Sequence, residues 1–221
     1  MHEFFEYILK QFGEPESCSQ FSSEEYLSIQ KLLPTSLHEF FQNYGRCTLR
    51  SGRMQICHPD DLAPVLEIAF ENDTIFNESN SHAFSYSAFG KIYFFHDTFG
   101  GGSINLLSGQ VFCKNLTNPP PPGTSLENSV FFPFVTNDSS LDCFDENGNL
   151  LFKKTLRKLG KLSPGDCYGF VPSIGLGGTP RLESIKILKA KEHFSIISQL
   201  ADYRLITVDE KLKIITVRNI G

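Results

Sequence analysis

Residues 33–45 read LPTSLHEFFQNYG, a stretch with the start and stop signals of one helix. Pro34 ends the preceding apolar stripe, Ser36 and Glu39 have the spacing of a capping box, and Gly45 suits the position after a helix C-terminus. Its apolar residues recur at the three- and four-residue intervals of a helix with one buried face: Leu37, Phe40, Phe41 and Tyr44. The stretch therefore predicts an amphipathic helix that packs on a core.

Two more helices are predicted on the N-terminal side of this stretch. Residues 2–12 carry apolar side chains at helical spacing, and Gly13 and Pro15 follow them. Ser22 and Glu25 form a further capping-box pattern, and helical spacing continues from there to residue 33. The chain therefore begins with an N-terminal helical segment.

On the C-terminal side the pattern changes to short strands separated by turn residues. Residues 58–60 read HPD and open a helix, while Ser108-Gly109 suits a two-residue hairpin turn. Alternating or apolar runs predict strands at 47–50, 54–57, 83–86, 92–96, 103–107 and 110–114. The middle of the chain is thus predicted to be an antiparallel meander.

Four consecutive prolines, residues 119–122, interrupt the periodic pattern. We predict that 116–129 is a proline-rich loop or linker between a first domain, 1–115, and a second domain, 130–221, packed on it. The second domain is predicted to contain strands at 130–135 and 185–188, helices at 151–159 and 194–201, and a hairpin at 205–220. The fold class is α+β: an antiparallel sheet with flanking helices, an N-terminal helical segment and a smaller C-terminal α+β part.

The composition indicates a soluble, cytoplasmic protein. The chain has no run of 18 apolar residues, and its first twelve residues contain Glu3 and Glu6 and no basic cluster. The six cysteines are scattered, with no pair at the spacing of a zinc or redox motif. We therefore expect no membrane segment, no secretion signal and reduced thiols.

The net charge of −5 conceals a strong asymmetry. Residues 1–150 contain 7 Lys and Arg against 19 Asp and Glu, a net charge of −12. Residues 151–221 contain 13 Lys and Arg against 6 Asp and Glu, a net charge of +7. The two segments either present opposed fields or interleave so that their charges cancel locally. If the fields are separate, the −12 segment repels phosphate and suits a basic protein partner.

No standard catalytic, cofactor or metal motif is present, so we expect no enzyme activity, no cofactor and no metal. An EF-hand aligned on Gly148 fails, because Cys143 and Lys154 stand where carboxylates are needed. The alternative is an enzyme with a nonstandard site that uses His96, Asp97 or Cys167. A pocket that brings these three side chains together would support it.

A second alternative is a nucleic-acid-interacting module in the +7 segment. Basic residues cluster on and just after one predicted helix: Lys153, Lys154, Arg157, Lys158 and Lys161. No aromatic-and-basic binding motif accompanies them. They also suit a simpler role, in which they balance the acidic segment within the chain or across a dimer.

Ordered short motifs show a resemblance to a known family. FGEP at 12–15, LP and LHEFF with YG at 33–45, and AFGKIY at 88–93 resemble the GAD-like domain of bacterial immunity proteins. LGKL at 159–162, YGFVP at 168–172 and LGG at 176–178 resemble the domain that accompanies it in type VI secretion immunity proteins. The resemblance covers roughly residues 5–201, although Asp166-Cys167 departs from the family's usual acidic and apolar pair before YGF. The segment at 33–45 is also similar to the SMI1/KNR4-like immunity superfamily.

The resemblance implies an intracellular antitoxin that binds and neutralises a cognate effector, often a DNase, by protein–protein contact. A nuclease needs a basic surface to hold phosphate, so acidic loops of the inhibitor are the expected contact. We expect the toxin-binding residues among seven carboxylates in predicted loops: Glu71, Asp73, Glu78, Asp138, Asp142, Asp145 and Glu146. The sequence leaves the oligomeric state, and the choice between active-site block and allosteric inhibition, open.

Overall fold

The computed structural model describes residues 2–221, and its N-terminal part contains three helices. They are α1 (Glu3–Phe12), α2 (Ser23–Leu32) and α3 (Thr35–Tyr44). The capping box at the start of α2 is confirmed: the Glu25 N–H donates to the Ser22 hydroxyl, and the Ser22 N–H donates to the Glu25 carboxylate. The box predicted for α3 is wrong, because Pro34 is the N-cap and buried Ser36 donates instead to the Glu127 carbonyl.

Eleven strands form two sheets within residues 2–221. The strand ranges are β1 (Glu16–Ser19), β2 (Arg46–Leu49), β3 (Met54–Ile56), β4 (Ser81–Ser87), β5 (Lys91–His96), β6 (Gly100–Asn105), β7 (Gln110–Cys113), β8 (Asp166–Phe170), β9 (Ile185–Lys189), β10 (Arg204–Val208) and β11 (Ile214–Asn219). Nine of them make one sheet in the order β1-β2-β3-β4-β5-β6-β7-β10-β11, and β8 pairs with β9. The predicted α+β class, with a mostly antiparallel sheet and flanking helices, is confirmed.

The three glycines at the start of β6 lie opposite large side chains of β5. Phe94 on β5 pairs with Gly102 on β6. A Cβ on Gly102 would lie 2.5 Å from the Phe94 ring, so only glycine lets the aromatic ring cover β6 at this point.

The C-terminal tail forms the predicted hairpin, β10 and β11, and also completes the main sheet. β10 lies parallel to β7, with Leu205 opposite Val111, while every other neighbouring pair in the large sheet is antiparallel. The sheet therefore continues across the proline-rich segment at 116–129. A sequence pattern cannot reveal this contact, because the paired strands are about ninety residues apart.

The strand predicted at 130–135 is wrong. After the short helix α5 (Lys114–Thr117), the chain forms a 3-10 turn over Glu127–Phe131 and then the short helix α6 (Phe132–Val135). Val130, Phe131 and Phe134 are buried against α1 and α3, and Phe5 packs edge-on to both aromatic rings. A short apolar run fits either a strand or a buried helical turn, and here packing against aromatic residues of α1 favours the turn.

Three apolar clusters hold the elements together. The helices α4 (Pro59–Ala69) and α8 (Ala190–Ser198) cover one face of the large sheet. On the other face, α1, α2, α3 and the 127–135 turns pack against β2–β5. The third cluster joins α7 (Phe152–Leu159), β8 and β9 to the turn between β4 and β5. No helix within residues 2–221 is long and apolar enough to span a bilayer.

Candidate functional site

Asp73, one of the seven predicted contact residues, is fully engaged inside the protein. Its carboxylate accepts the Ile75 and Phe76 N–H groups and pairs with the Arg218 guanidinium of β11 at 3.0 Å. Its side chain is only 1% exposed. Burial raises the pKa of Asp73, but the hydrogen bonds from Arg218 and the backbone outweigh it and bring the pKa to about 2. This carboxylate fixes the tail hairpin on the body of the protein.

Glu71 and Glu78, in the same segment, have the opposite environment. Both residues are exposed, and neither carboxylate has a hydrogen-bond or ion-pair partner anywhere in the described chain, 2–221. Their charges are therefore available to an outside partner.

A second group of predicted contact residues surrounds two arginines at the connection between β2 and β3. Arg50 pairs with Asp138, and Arg53 lies 3.3 Å from Asp138 and 3.2 Å from Asp142. The Asp138 side chain is 53% exposed, whereas that of Asp142 is 1% exposed. Only Asp138 of this pair can contact another molecule.

Asp145 and Glu146 belong to an exposed turn beside α7. The Asp145 carboxylate accepts the Asn147 and Asn149 N–H groups, which helps to lower its pKa, and Lys154 lies 3.3 Å away. Glu146 pairs with Arg181 at 2.8 Å. Among residues 2–221 no group of three or more potential ligands is arranged to hold a metal ion. The turn is stabilised by its own hydrogen bonds.

The structure does not bring the seven carboxylates to one place. Asp73 is held by β11, whereas Asp138 and Asp142 are held at the β2–β3 connection. Six strand spacings separate β3 from β11 in the sheet, on the order of 30 Å. The predicted contact residues thus form two separate groups.

The acidic and basic segments interleave in part. Among the residues that the structure describes, four ion pairs join the first 150 positions to positions 151–221: Asp73–Arg218, Asp145–Lys154, Glu146–Arg181 and Glu16–Lys161. These pairs cancel part of the charge split, whereas exposed Glu71 and Glu78 remain uncompensated by a contact. Local neutralisation therefore applies to some of the −12 segment and not to all of it.

The side chains of the enzyme alternative lie apart. The His96 Nδ1 accepts the Thr98 and Phe99 N–H groups, and Nε2 lies 3.2 Å from the Ile75 carbonyl, so both ring nitrogens are occupied by backbone. Such a ring has no lone pair available to act as a general base. Its exposed neighbour, Asp97, lies 3.4 Å from His82 instead.

Cys167 lies far from His96, beyond the opposite end of the paired strands β4 and β5. His96 pairs with Ser81 at the start of β4, and Tyr86, five residues along β4, reaches the Asp166 carbonyl beside Cys167. Five residues of strand span about 16 Å. The thiol is fully buried, and burial raises its pKa. The geometry provides no pocket in which these candidates could act together.

The basic cluster of the second alternative lies on and after α7 and is exposed. Lys154 and Lys161 form ion pairs, and the Lys158 ammonium donates to the Leu182 carbonyl at 3.2 Å. Lys153 and Arg157 are also exposed. Several of these cations therefore hold acidic or carbonyl groups of the same chain.

A groove that sequence reasoning missed opens on the other face of the sheet from α4 and α8. It has a volume of about 1130 Å³ and lies between α1, the 126–135 segment and strands β6, β7 and β10. Its apolar lining includes Phe4, Tyr7, Phe112, Phe132 and Val208. The aromatic run at 131–134 is the only local signal of the groove, since its walls come from four distant parts of the chain.

Comparison with known proteins matches both regions of the chain. Residues 3–108 match the model of the GAD-like domain, and residues 128–201 match the model of the C-terminal domain of the T6SS immunity protein Tdi1. Among solved structures, the chain is similar to the crystal structure of Atu4351 from Agrobacterium tumefaciens, at 28% identity and a TM-score of 0.89. That match covers 100% of this chain and 98% of the other. No curated protein shows significant similarity. The resemblance stated from the sequence is confirmed.

Proposed function

Because the chain joins a GAD-like domain to a C-terminal domain of the T6SS immunity protein Tdi1 kind, we propose that it is an immunity protein that neutralises a cognate type VI secretion effector. It acts by protein–protein contact and performs no chemistry of its own. The observation that carries the proposal is the ordered pair of domains, one of which is named for an immunity protein. The fold of Atu4351 is similar over the whole length of this chain, which supports the view that the two matched regions form one arrangement found in both proteins.

The effector is a DNase with a basic substrate-binding surface, and the two proteins meet in the cytoplasm, as bacterial competition would require. Charge supports this part of the proposal, because a nuclease holds phosphate with Lys and Arg and an acidic inhibitor can occupy that surface. The exposed carboxylates of Glu71, Glu78 and Asp138 suit such a contact. Asp73 and Asp142 are left out of the contact because their carboxylates are buried.

The test is protection of a bacterial host from the effector encoded by the gene next to this protein's own. Expression of the effector alone should stop growth and degrade chromosomal DNA, and co-expression of this protein should prevent both. A catalytically inactive effector should co-purify with this protein at a fixed ratio.

Two results would contradict parts of the proposal. If co-expression neither restores growth nor yields a complex, the immunity function is wrong for this effector. If protection occurs but the effector alone leaves DNA intact, the immunity function stands and the DNase assignment is wrong.

A further inference from the structure

We infer that the groove between α1, the 126–135 segment and strands β6, β7 and β10 is the effector-docking site, and that it takes an apolar effector segment flanked by basic side chains. The inference rests on the proposed immunity function and specifies where contact occurs. Most of the binding energy then comes from the apolar groove rather than from the scattered carboxylates.

The groove is a gap in the helical layer on the face of the sheet opposite α4 and α8. Helices α4 and α8 cover one face of the large sheet, and their cluster reaches from Ala83 on β4 to Leu205 on β10. On the opposite face the buried apolar side chains of the helical layer reach only as far as Tyr93 and Phe95 on β5, and on β6 the 126–131 turn packs against the first residues, where the Gly101 N–H donates to the Ser129 hydroxyl. Beyond β5, residues of β6, β7 and β10 form the floor of an open groove. A segment laid there would complete the layer.

Four exposed apolar side chains line this groove. Tyr7 is 55% exposed, Phe132 54%, Val135 45% and Val208 44%, and all four line it. Exposed apolar patches of this kind mark interaction sites on soluble proteins. Aromatic residues at such patches supply a large share of the energy of protein–protein contacts. Tyr7 and Phe132 are therefore the expected anchors.

Size and charge indicate the occupant. The groove volume of about 1130 Å³ exceeds the roughly 300–1,000 Å³ typical of small-molecule pockets, which favours a polypeptide segment. Every lining residue except Val208 belongs to the −12 segment. Glu3 on α1 and Lys114 just after β7 both line the groove, and Glu6 is exposed one turn further along α1, so the acidic part of the groove is its α1 wall. A basic flank on the occupant would complement these carboxylates, whereas a second copy would bring two acidic surfaces together.

The experiment measures affinity for a catalytically inactive form of the effector encoded by the neighbouring gene. The variants are Tyr7→Ala and Phe132→Ala, and the matched control is Phe144→Ala, because Phe144 is 53% exposed but does not line the groove. Loss of an anchor that contributes about 2 kcal/mol or more weakens binding roughly 30-fold. We expect that loss for each groove variant and a dissociation constant within about twofold of wild type for the control.

A charge variant tests the chemistry of the occupant. Glu3→Lys with Glu6→Lys should slow association with the same effector, and the difference from wild type should shrink at high salt. Far-UV circular dichroism should show unchanged melting for all variants, since each altered side chain is exposed or half-buried at the surface.

The outcomes separate the two proposals. If wild type binds and protects, and both groove variants do so equally well, the groove assignment is overturned while the immunity function stands. If wild type neither binds nor protects, the immunity function fails and the groove assignment fails with it. If the free protein is a dimer that Phe132→Ala dissociates, the occupant is a second copy and the inference is overturned.

Discussion

Glu71 and Asp73 lie two residues apart and carry the same charge, yet their surroundings are opposite. The Asp73 carboxylate is buried under an arginine from the far end of the chain, and that of Glu71 extends into solvent without a partner among residues 2–221. Asp142 and Asp138 form a similar contrast around Arg53, where only Asp138 is exposed. Equal charges thus divide into those that hold the fold together and those that remain available to a partner. Burial, not position in an acidic loop, decides between the two roles.

Among substitutions of these carboxylates, we expect the largest loss of stability at Asp142. One oxygen of its carboxylate accepts the N–H groups of Cys143, Leu151 and Phe152, the last at the start of α7, and the other faces Arg53 at 3.2 Å. Asp142→Ala leaves the Cys143 and Phe152 N–H groups without this acceptor and leaves the buried Arg53 guanidinium with only the exposed Asp138 as an ion-pair partner, so we expect the free energy of unfolding to fall by about 3 kcal/mol. The measurement is urea denaturation followed by far-UV circular dichroism, since the chain has no Trp.

The matched control for Asp142 is Asp142→Asn, which keeps an acceptor oxygen for the backbone N–H groups but removes the charge. It should lose less stability than the alanine variant. Equal stability of Asp142→Ala and wild type would show that Arg53 is held by Asp138 alone.

The second-largest effect is a pH dependence of the free energy of unfolding that arises from Asp73. Because the folded pKa is about 2 and the ordinary value is near 3.9, the ionised carboxylate stabilises the fold above pH 4. This contribution, about 1–2 kcal/mol after allowance for solvent screening, is lost as the pH falls from about 4 to about 2. Asp73→Asn should lack this contribution at neutral pH, and its stability should fall less steeply as the pH is lowered.

The measurement for Asp73 is the denaturation midpoint of both proteins at a series of pH values. Arg218→Ala serves as the control from the other side of the pair, and it should reproduce most of the Asp73→Asn effect. Parallel pH curves for wild type and Asp73→Asn would contradict the role given to Asp73.

The same contrast explains which features could be predicted from the sequence. Capping at Ser22, the meander and the tail hairpin depend on near neighbours, so local patterns predict them. The engagement of Asp73 depends on Arg218, 145 residues away, and no local pattern contains that pairing. The groove likewise needs α1, the 126–135 segment and β10 together. Sequence reasoning therefore identified the acidic segment but could not distinguish its buried carboxylates from its exposed ones.

A smaller effect is expected at the exposed ion pair between Glu146 and Arg181. The Glu146 side chain is 40% exposed and that of Arg181 56%, so water and salt screen their attraction. Arg181→Ala should leave the denaturation midpoint unchanged within error at moderate ionic strength. A clear loss of stability would show that this pair holds the turn at 145–149 against the neighbouring loop.

The smallest effect on stability is expected for substitutions of Glu71 and Glu78. These substitutions also give the clearest test of the difference between buried and exposed carboxylates. Neither carboxylate has a partner among residues 2–221, so Glu71→Gln with Glu78→Gln should leave the unfolding curve unchanged. The same double variant should slow association with a basic effector, because exposed charge affects encounter more than the stability of the complex formed. Stopped-flow or biosensor association rates at low and high salt measure this. Wild type should be faster only at low salt, where the field of the carboxylates extends further. Association rates that match wild type at every salt concentration would place Glu71 and Glu78 away from the path of the effector.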